Sequence, residues 1–563
     1  MFSLLRQPYD TIIRCDYIRL IHNGRKLVKK QGSKRVDRKR NSTSGSSSNL
    51  IFESGKFSKL YNKPVKQDFI QDKIDNFNQL KIFPSVRDAM IKEIKSQYNN
   101  TANKPIEEIE IKPSPVQISS IRKITQSRKL KPIDSDSSDS KKSILDDIKL
   151  QNELSRTKVF TIAAETGSGK TWAYLSSLLT KLKFDDLELY SANRLKFNND
   201  KKDKYVRSII LLPTHELIDQ VYNVLQRANE TELNNMDGIA AGYKSFIQNE
   251  DGNKLNLHIA KLAHGDPPID LFTKLDKLGR IDILVTTPGK ITGFSKLSKI
   301  ESPFKPFKKL KYCILDEADT LFDKSFKDET VSVITNFPNL LDLILVSATI
   351  PKEFEKTIKS LFPDYKSLIR IETPSLHKVP KGIKIMTLDA DLPPYNGSVN
   401  RCLAQCIYAI SKDGTEPNLV KRIIIFVNEK EETEILKLTL IEKFKIRAQD
   451  IVAINGRVKI SDRKELIEPF IKPAMPIDED PDGSKVKILI TSDLLARGLN
   501  FIGIKNVILM GIPRNSVDLV HRLGRTGRMN QSGRVFIIVS KKKSKKHFVK
   551  GLNTAILRGF RIG

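Results

Sequence analysis

The sequence predicts an α/β protein made of two tandem parallel sheets, each covered by helices on both faces. Three observations predict it. Short runs that are apolar throughout alternate with helical segments, which is how strands buried from both sides read. The alternation stops around ETPSLHKVPKG and then restarts. Early in the first half, a strand, a glycine-rich turn and a helix follow one another across AAETGSGKT, Ala163 to Thr171.

Taken in order, the chain opens with a basic segment. Met1 to Arg40 holds twelve Lys and Arg against three Asp and is followed by NSTSGSSSN. Basic, Ser-rich and acid-poor composition suits a mitochondrial targeting segment; the alternative is a disordered basic arm that binds RNA or enters the nucleus or nucleolus. Either way residues 1–60 are expected outside the fold. FNQLKIFPSVRDAMIKEI, Phe77 to Ile94, has apolar residues at helical spacing, and YNNTANKP is expected to break that helix.

The first domain is placed at 61–375, with strands at VFTIA, SIILLPT (Ser208–Thr214), DILVTTP (Asp282–Pro288), YCILDEAD (Tyr312–Asp319) and LILVSAT (Leu343–Thr349). A linker at 376–380 leads to a second domain at 381–545, with strands at RIIIFVN (Arg422–Asn428), DIVAING (Asp450–Gly456), KILITSD (Lys487–Asp493), NVILMG (Asn506–Gly511) and RVFIIVS (Arg534–Ser540). Residues 546–563 form a short basic tail. Three polar stretches read as solvated loops: PIDSDSSDSKK (Pro132–Lys142), NRLKFNNDKKDKY (Asn193–Tyr205) and PIDEDPDGSK (Pro476–Lys485).

With 97 Lys and Arg against 66 Asp and Glu in 563 residues, the formal charge is +31. Such a field attracts nucleic acid or anionic lipid, and no apolar run reaches the length of a membrane span, so nucleic acid is the expected partner. The four cysteines, Cys15, Cys313, Cys402 and Cys406, are too few and scattered for a disulfide framework and fit a reducing compartment. Cys402 and Cys406 lie four apart in a helical segment and read as two buried small hydrophobes, not as metal ligands.

Two motifs carry the chemistry. In AETGSGKT, Gly167 and Gly169 let backbone N–H groups approach phosphate, the helix starting near Lys170 adds its positive end, Lys170 can reach the β/γ-phosphates, and Thr171 can ligate Mg²⁺. At the tip of the YCIL strand, Asp316 can hold Mg²⁺ and Glu317 can orient or deprotonate an attacking water. Acidic helix caps would account for one carboxylate but not for the phosphate loop upstream.

With both halves of a nucleotide site present, the chain resembles a DEAD-box RNA helicase of superfamily 2. DEAD is spelled out at Asp316–Asp319, and Ala164, standing where the general phosphate loop has glycine, is the residue this family uses. Further matches run in the family's order from Gln117 to Arg528: PSPVQ (Pro113–Gln117), PTHELIDQ (Pro213–Gln220), TTPGK (Thr286–Lys290), SAT (Ser347–Thr349), ING-RVKI-SDR (Ile454–Arg463), TSDLLARGLN (Thr491–Asn500) and HRLGRTGR (His521–Arg528). His215, Lys290, Ile460 and Asn500 depart from the family pattern, and His264–Gly265 stands where Gly-Gly is usual.

The resemblance implies two RecA-like domains, ATP with Mg²⁺ as cofactors and RNA as partner. It assigns ATP binding to Gln117, Ala164, Glu165, Thr166, Gly167, Ser168, Gly169, Lys170, Thr171 and Asn500, and catalysis to Glu317, Asp316, Lys170, Arg525 and Arg528, with Thr171 and Asp316 on the metal. It assigns coupling to Ser347, Ala348, Thr349, Asp319 and His521, and RNA contact to Pro213, Thr214, Thr287, Pro288, Gly289, Lys290, Arg463 and Thr491. Phe83 or Phe77 is the expected aromatic partner of Gln117.

The implied activity is ATP-dependent local RNA unwinding by a monomer. The alternatives are an ATP-gated RNA clamp or assembly scaffold, and a DNA-processing motor. The basic leader and the short tail resemble a fungal-type mitochondrial member acting on mitochondrial rRNA or mRNA, with ribosome assembly as the expected duty and mitochondrial ribosomal proteins as expected partners.

Overall fold

The computed structural model describes most of the chain from residue 74 onward and residues 57 and 59–61 before it. Outside the described residues lie 1–56, 58, 62–73, 103–109, 127–156, 493–500, 528–531, 541–560, 562–563 and a few positions in short loops. Nearly all of the leader, the Pro132–Lys142 loop and nearly all of the tail therefore fall outside them.

Two all-parallel sheets carry the fold. The first contains β1 (Lys158–Ala163), β2 (Ser208–Leu211), β3 (Ile259–Lys261), β4 (Ile283–Thr286), β5 (Tyr312–Leu315), β6 (Asp342–Ser347) and β7 (Leu368–Glu372), in the order β3-β4-β2-β5-β6-β1-β7. The second contains β8 (Ile383–Asp389), β9 (Lys421–Phe426), β10 (Ile451–Ile454), β11 (Val486–Thr491), β12 (Asn506–Met510) and β13 (Gly533–Val539), in the order β10-β11-β9-β12-β13-β8. Each sheet has an apolar cluster on either face, which is the two-faced burial that the uninterrupted Ile/Val/Leu runs require. β3, β7 and β8 are strands that the apolar runs did not reveal, and all three are edges.

Three local expectations are corrected. Asn193–Tyr205 is not a loop: Arg194–Lys202 is a helix, because Asn193 caps it by accepting from the Lys196 N–H and Phe197 is fully buried against Tyr190 and Phe246. Burying that ring is worth about 2–3 kcal/mol, enough to order a polar segment. The helix begun at Pro84 continues to Ala102, through part of the expected break. Finally, the fold does not begin after residue 60, since Phe57 and Lys59 are hydrogen-bonded to the lobes and Leu60 lies opposite Pro351 in an antiparallel bridge.

Charge is also buried. Arg207 and Arg280 bridge Asp186 and Asp282, and Lys183 meets Asp251, tying the helix Lys170–Ala192 to its neighbours. Further hydrogen bonds offset part of the cost of burying these charges: Arg207 also donates to the Leu182 carbonyl and Lys183 to that of Leu255. Cys402 and Cys406 are buried in the helix Val399–Lys412, and burial pushes the Cys402 thiol up to about 12. No helix among the described residues is long and apolar enough to cross a membrane.

Candidate nucleotide and nucleic-acid site

The glycine-rich turn joins the end of β1 to the helix Lys170–Ala192. Gly167 and Gly169 have φ of 81° and 89°, left-handed values that a side chain would resist. Gly169 is doubly required: a Cβ there would stand 2.6 Å from Gln117 Nε2. Gln117 sits in the first turn of the helix Pro115–Thr125, where Ser114 and Gln117 form a reciprocal cap. Its Oε1 accepts from the Ser114 N–H at 2.9 Å, and its Nε2 donates to the Gly169 carbonyl at 3.3 Å. The amide thus fastens one helix to the phosphate loop.

Lys170 Nζ donates to the carbonyls of Ala164 at 2.8 Å and Glu165 at 2.9 Å, so the ammonium lies over its own loop. Thr171 is the next residue of the helix. Glu165 Oε2 accepts from Thr373 Oγ1 at 2.7 Å, just past the end of β7. The backbone N–H of Ala164 donates to the Ser347 carbonyl at 3.2 Å, which sets the Ser347–Thr349 strand end beside the loop.

Asp316 and Glu317 leave the tip of β5. Asp316 accepts from Tyr174 Oη at 3.0 Å and from the Glu317 N–H at 2.9 Å. Burial, and then the neighbouring Glu317 charge, push its carboxyl up to about 7, while Lys170 pulls the other way. Glu317 holds a left-handed φ of 50°, a strained value for a non-glycine residue, of the sort that accumulates at functional sites. Its Oε2 is buried with no hydrogen-bond partner, as is Ser168 Oγ in the loop. Two adjacent carboxylates, one with an orphaned buried oxygen, and an orphaned hydroxyl in the phosphate loop fit a divalent cation held with a phosphate group.

Asp319 joins the lobes. Its Oδ2 accepts from Thr349 Oγ1 and meets His521 Nε2 at 2.8 Å, with all three groups buried. Ser347 Oγ accepts from the Thr349 N–H at 3.1 Å, and Ala348 lies buried between them. His521 belongs to the helix Ser516–Leu523 of the second lobe, and Arg525 Nε donates to the His521 carbonyl at 3.0 Å. An oxygen each of Glu317 and Asp319 and a ring nitrogen of His521 lie within 4.8 Å of one another, while Asp319 Oδ2 and His521 Nε2 are already paired with each other. Gly524 rests on the loop so closely that a Cβ would fall 2.0 Å from Thr166 Oγ1.

A second group lies at the strand ends of the first lobe. Pro213 and Thr214 lead into the helix His215–Glu230, and Thr214 caps it with extended backbone but no side-chain bond. Thr287 Oγ1 accepts from the Lys290 N–H at 3.3 Å across the turn made by Pro288 and Gly289. Lys290 Nζ donates to the Asp266 carbonyl at 2.6 Å. The rings of His215 and His264 stack edge to face at 5.7 Å, and burial, opposed by Glu216, lowers the His215 imidazole, which is therefore neutral near pH 7.

Some expected residues sit differently. Arg463 is not offered to a phosphate: its Nη1 pairs with Glu216 Oε1 at 3.3 Å, and its other donors go to the carbonyls of Val458 and Gly456, so it bridges the lobes. Thr491 is buried at the end of β11 and donates to the Ser492 carbonyl. Phe83 is fully buried against Phe184, Tyr243 and Phe246, and Phe77 lies in the same cluster, so neither ring faces a ligand. Asn500 and Arg528 lie outside the described residues.

The site also contains residues the motifs did not single out. Tyr174 stands one helical turn after Lys170, a spacing that could have flagged it. Thr373 and His377 follow β7. His377 Nε2 accepts from the Ile350 N–H at 3.0 Å, directly after Thr349, and no pattern in the sequence announces it.

Two family models match the chain: DEAD/DEAH box helicase over residues 142–357 and helicase conserved C-terminal domain over 401–530. The chain is 59% identical over 518 residues to the ATP-dependent RNA helicase MRH4, mitochondrial, of Candida albicans, covering 91% of this chain and 93% of that one. The protein of the same name from Saccharomyces cerevisiae S288c is 36% identical over 528 residues, covering 87% and 83%. Among solved structures, DEAD-box helicase Mss116 bound to ssRNA and UDP-BeF aligns with a TM-score of 0.55 at 18% identity, over 86% of this chain and 78% of that one. S. cerevisiae Dbp5 bound to RNA and ADP BeF3 aligns with a TM-score of 0.56 at 18% identity, over 86% and 93%. At that identity the two structures speak for the fold.

Proposed function

The chain belongs to the DEAD/DEAH box helicase family, and on that premise we propose that it is an RNA-stimulated ATPase that separates or remodels short stretches of RNA when its two lobes close. The observation that carries the reading is the buried Thr349–Asp319–His521 contact, in which the strand end of one lobe and the arginine-bearing helix of the other meet on a single carboxylate. Closure and assembly of the catalytic group are then one event.

In this reading, Gly167, Gly169 and Lys170 hold the ATP phosphates, and Gln117 sets the loop and reads adenine. Glu317, with a free buried oxygen, takes the proton of the attacking water. Arg525 brings positive charge from the second lobe to the γ-phosphate, Arg528 following it in the same motif. Thr171 and Asp316 would hold Mg²⁺, which supplies charge neutralisation between the phosphates when bound. Thr214, Thr287 and Lys290 face an RNA backbone, and Arg463 supports closure through Glu216.

The basic leader and the likeness to mitochondrial RNA helicases support a mitochondrial location, and we propose that the activity acts on structured mitochondrial rRNA or mRNA, in ribosome assembly. The test is a short RNA duplex incubated with the full chain and Mg-ATP. Strand release that needs hydrolysable ATP supports unwinding; ATP-dependent retention without release selects the clamp; equal action on matched DNA overturns the RNA assignment.

A further inference from the structure

We infer that Phe57, Lys59, Leu60 and Tyr61 form a clasp that positions the two halves of the catalytic group against each other, a role that rests on the two-lobed reading above. These residues precede the first helix among the described residues and belong to neither sheet. On the first lobe, Leu60 forms an antiparallel bridge with Pro351: the Tyr61 N–H donates to the Ile350 carbonyl at 2.7 Å, and the Lys352 N–H donates to the Lys59 carbonyl at 2.8 Å. On the second lobe, the Ser516 N–H donates to the Phe57 carbonyl at 3.0 Å, and the Lys59 N–H donates to Ser516 Oγ at 3.1 Å. A few residues thus make backbone bonds to both lobes.

The side chains follow the same division. Phe57 packs on the apolar cluster of the second sheet, and Tyr61 packs on that of the first, between the cations of Lys359 and Arg370. Leu60, at the bridge, is 1% exposed.

The places held are the telling part. Ile350 directly follows Thr349, and its N–H is already taken by His377 in the segment joining the lobes. With its carbonyl taken by Tyr61, Ile350 is fixed on both sides. Ser516 opens the helix that carries His521, and Arg525 follows that helix. The clasp therefore grips the residue after Thr349 and the first turn before His521, the two ends of the Thr349–Asp319–His521 contact. Both sets of bonds can exist at once only while the lobes stand together, so the free energy of completing the second set favours closure.

The test uses the full chain, a fluorescent single-stranded RNA and a non-hydrolysable ATP analogue. In the Phe57→Ala/Tyr61→Ala double variant, RNA should leave the closed complex about tenfold faster or more, the equivalent of about 1.4 kcal/mol. RNA-stimulated kcat should fall, while nucleotide affinity without RNA and the melting temperature hold. Ser516→Ala, which removes one acceptor, should shift the release rate in the same direction by less, and Phe57→Leu/Tyr61→Phe should restore it. Unchanged release in the double variant overturns the clasp, as does a lowered melting temperature with unchanged release. If the unsubstituted chain shows no ATP-dependent RNA retention, the helicase reading fails first, and that arm reports it separately.

Discussion

Gly524→Ala is a small change with a large expected effect. The backbone at Gly524 has φ of −72° and ψ of 5°, which alanine adopts without strain, so the second lobe by itself should fold as before. The requirement for glycine comes from the other lobe. The new Cβ would lie 2.0 Å from Thr166 Oγ1 and 2.9 Å from Thr166 Cβ and Cγ2, against 3.4 Å for ordinary contact. Turning the threonine hydroxyl aside relieves the first clash but not the second, so the HRLGRTGR turn must retreat by about 0.5 Å at least and 1.4 Å at most. Misplacement of about 1 Å in an assembled catalytic group costs on the order of 10²-fold in rate. RNA-stimulated ATP turnover, measured at saturating ATP and RNA, should fall by about that factor, while nucleotide affinity in the absence of RNA stays within twofold. Adding Thr166→Gly should recover part of the lost rate. Stimulated turnover within twofold of the unsubstituted chain would refute the packing of Gly524 against the phosphate loop.

Glu317→Gln keeps the shape of the side chain and removes the base, so turnover should stop while ATP still traps RNA; RNA release as fast as from the unsubstituted protein would count against the assignment. Arg525→Ala should lower stimulated turnover by about 10³-fold or more with little change in basal ATP affinity, and recovery at high RNA and low salt would instead make Arg525 an RNA contact. His377 gives a pH signature. Its imidazole is lowered from 6.5 to about 3, chiefly by burial, so the stability it contributes is fully present above pH 6.5 and is lost as the pH falls toward 3. Each pH unit in that window costs up to about 1.4 kcal/mol. Melting curves of His377→Gln, which keeps an acceptor for Ile350, should fall less steeply on acidification between pH 6.5 and 5, and parallel curves would remove His377 from the titration.

The interior of both sheets was legible because strands buried from two sides must be apolar at every position, and IIIF or ILIT can hardly be read otherwise. The edges were not. β8 runs IKIMTLD, with Ile383 buried, Lys384 exposed and the rest half-buried, and β7 runs LIRIE; one covered face leaves a mixed pattern that a surface loop can share. The chemistry at the nucleotide was legible for a related reason: phosphate demands glycines, a lysine and carboxylates at fixed offsets along one stretch of chain. Contacts between distant stretches left no such trace. Arg463 looks the same in sequence whether it meets an RNA phosphate or Glu216, and a glycine in a motif does not say that Thr166 lies against it. Phe57 to Leu60 read as the end of a basic leader because backbone bonding, which any residue can supply, leaves no mark on the sequence.

The placement of the segment between the lobes has a mechanical meaning. Among the described residues β7, the last strand of the first sheet, pairs only with β1, and β8, the first of the second, pairs only with β13. The joint therefore runs from margin to margin, and rotation about residues between Glu372 and Ile383 need not part any interior strand. Each sheet can swing as a stiff plate, with its ladder of backbone bonds intact. Resistance to heat should then follow the plates and the pace of the working cycle should follow the joint, so that either can be altered by substitution while the other is left alone.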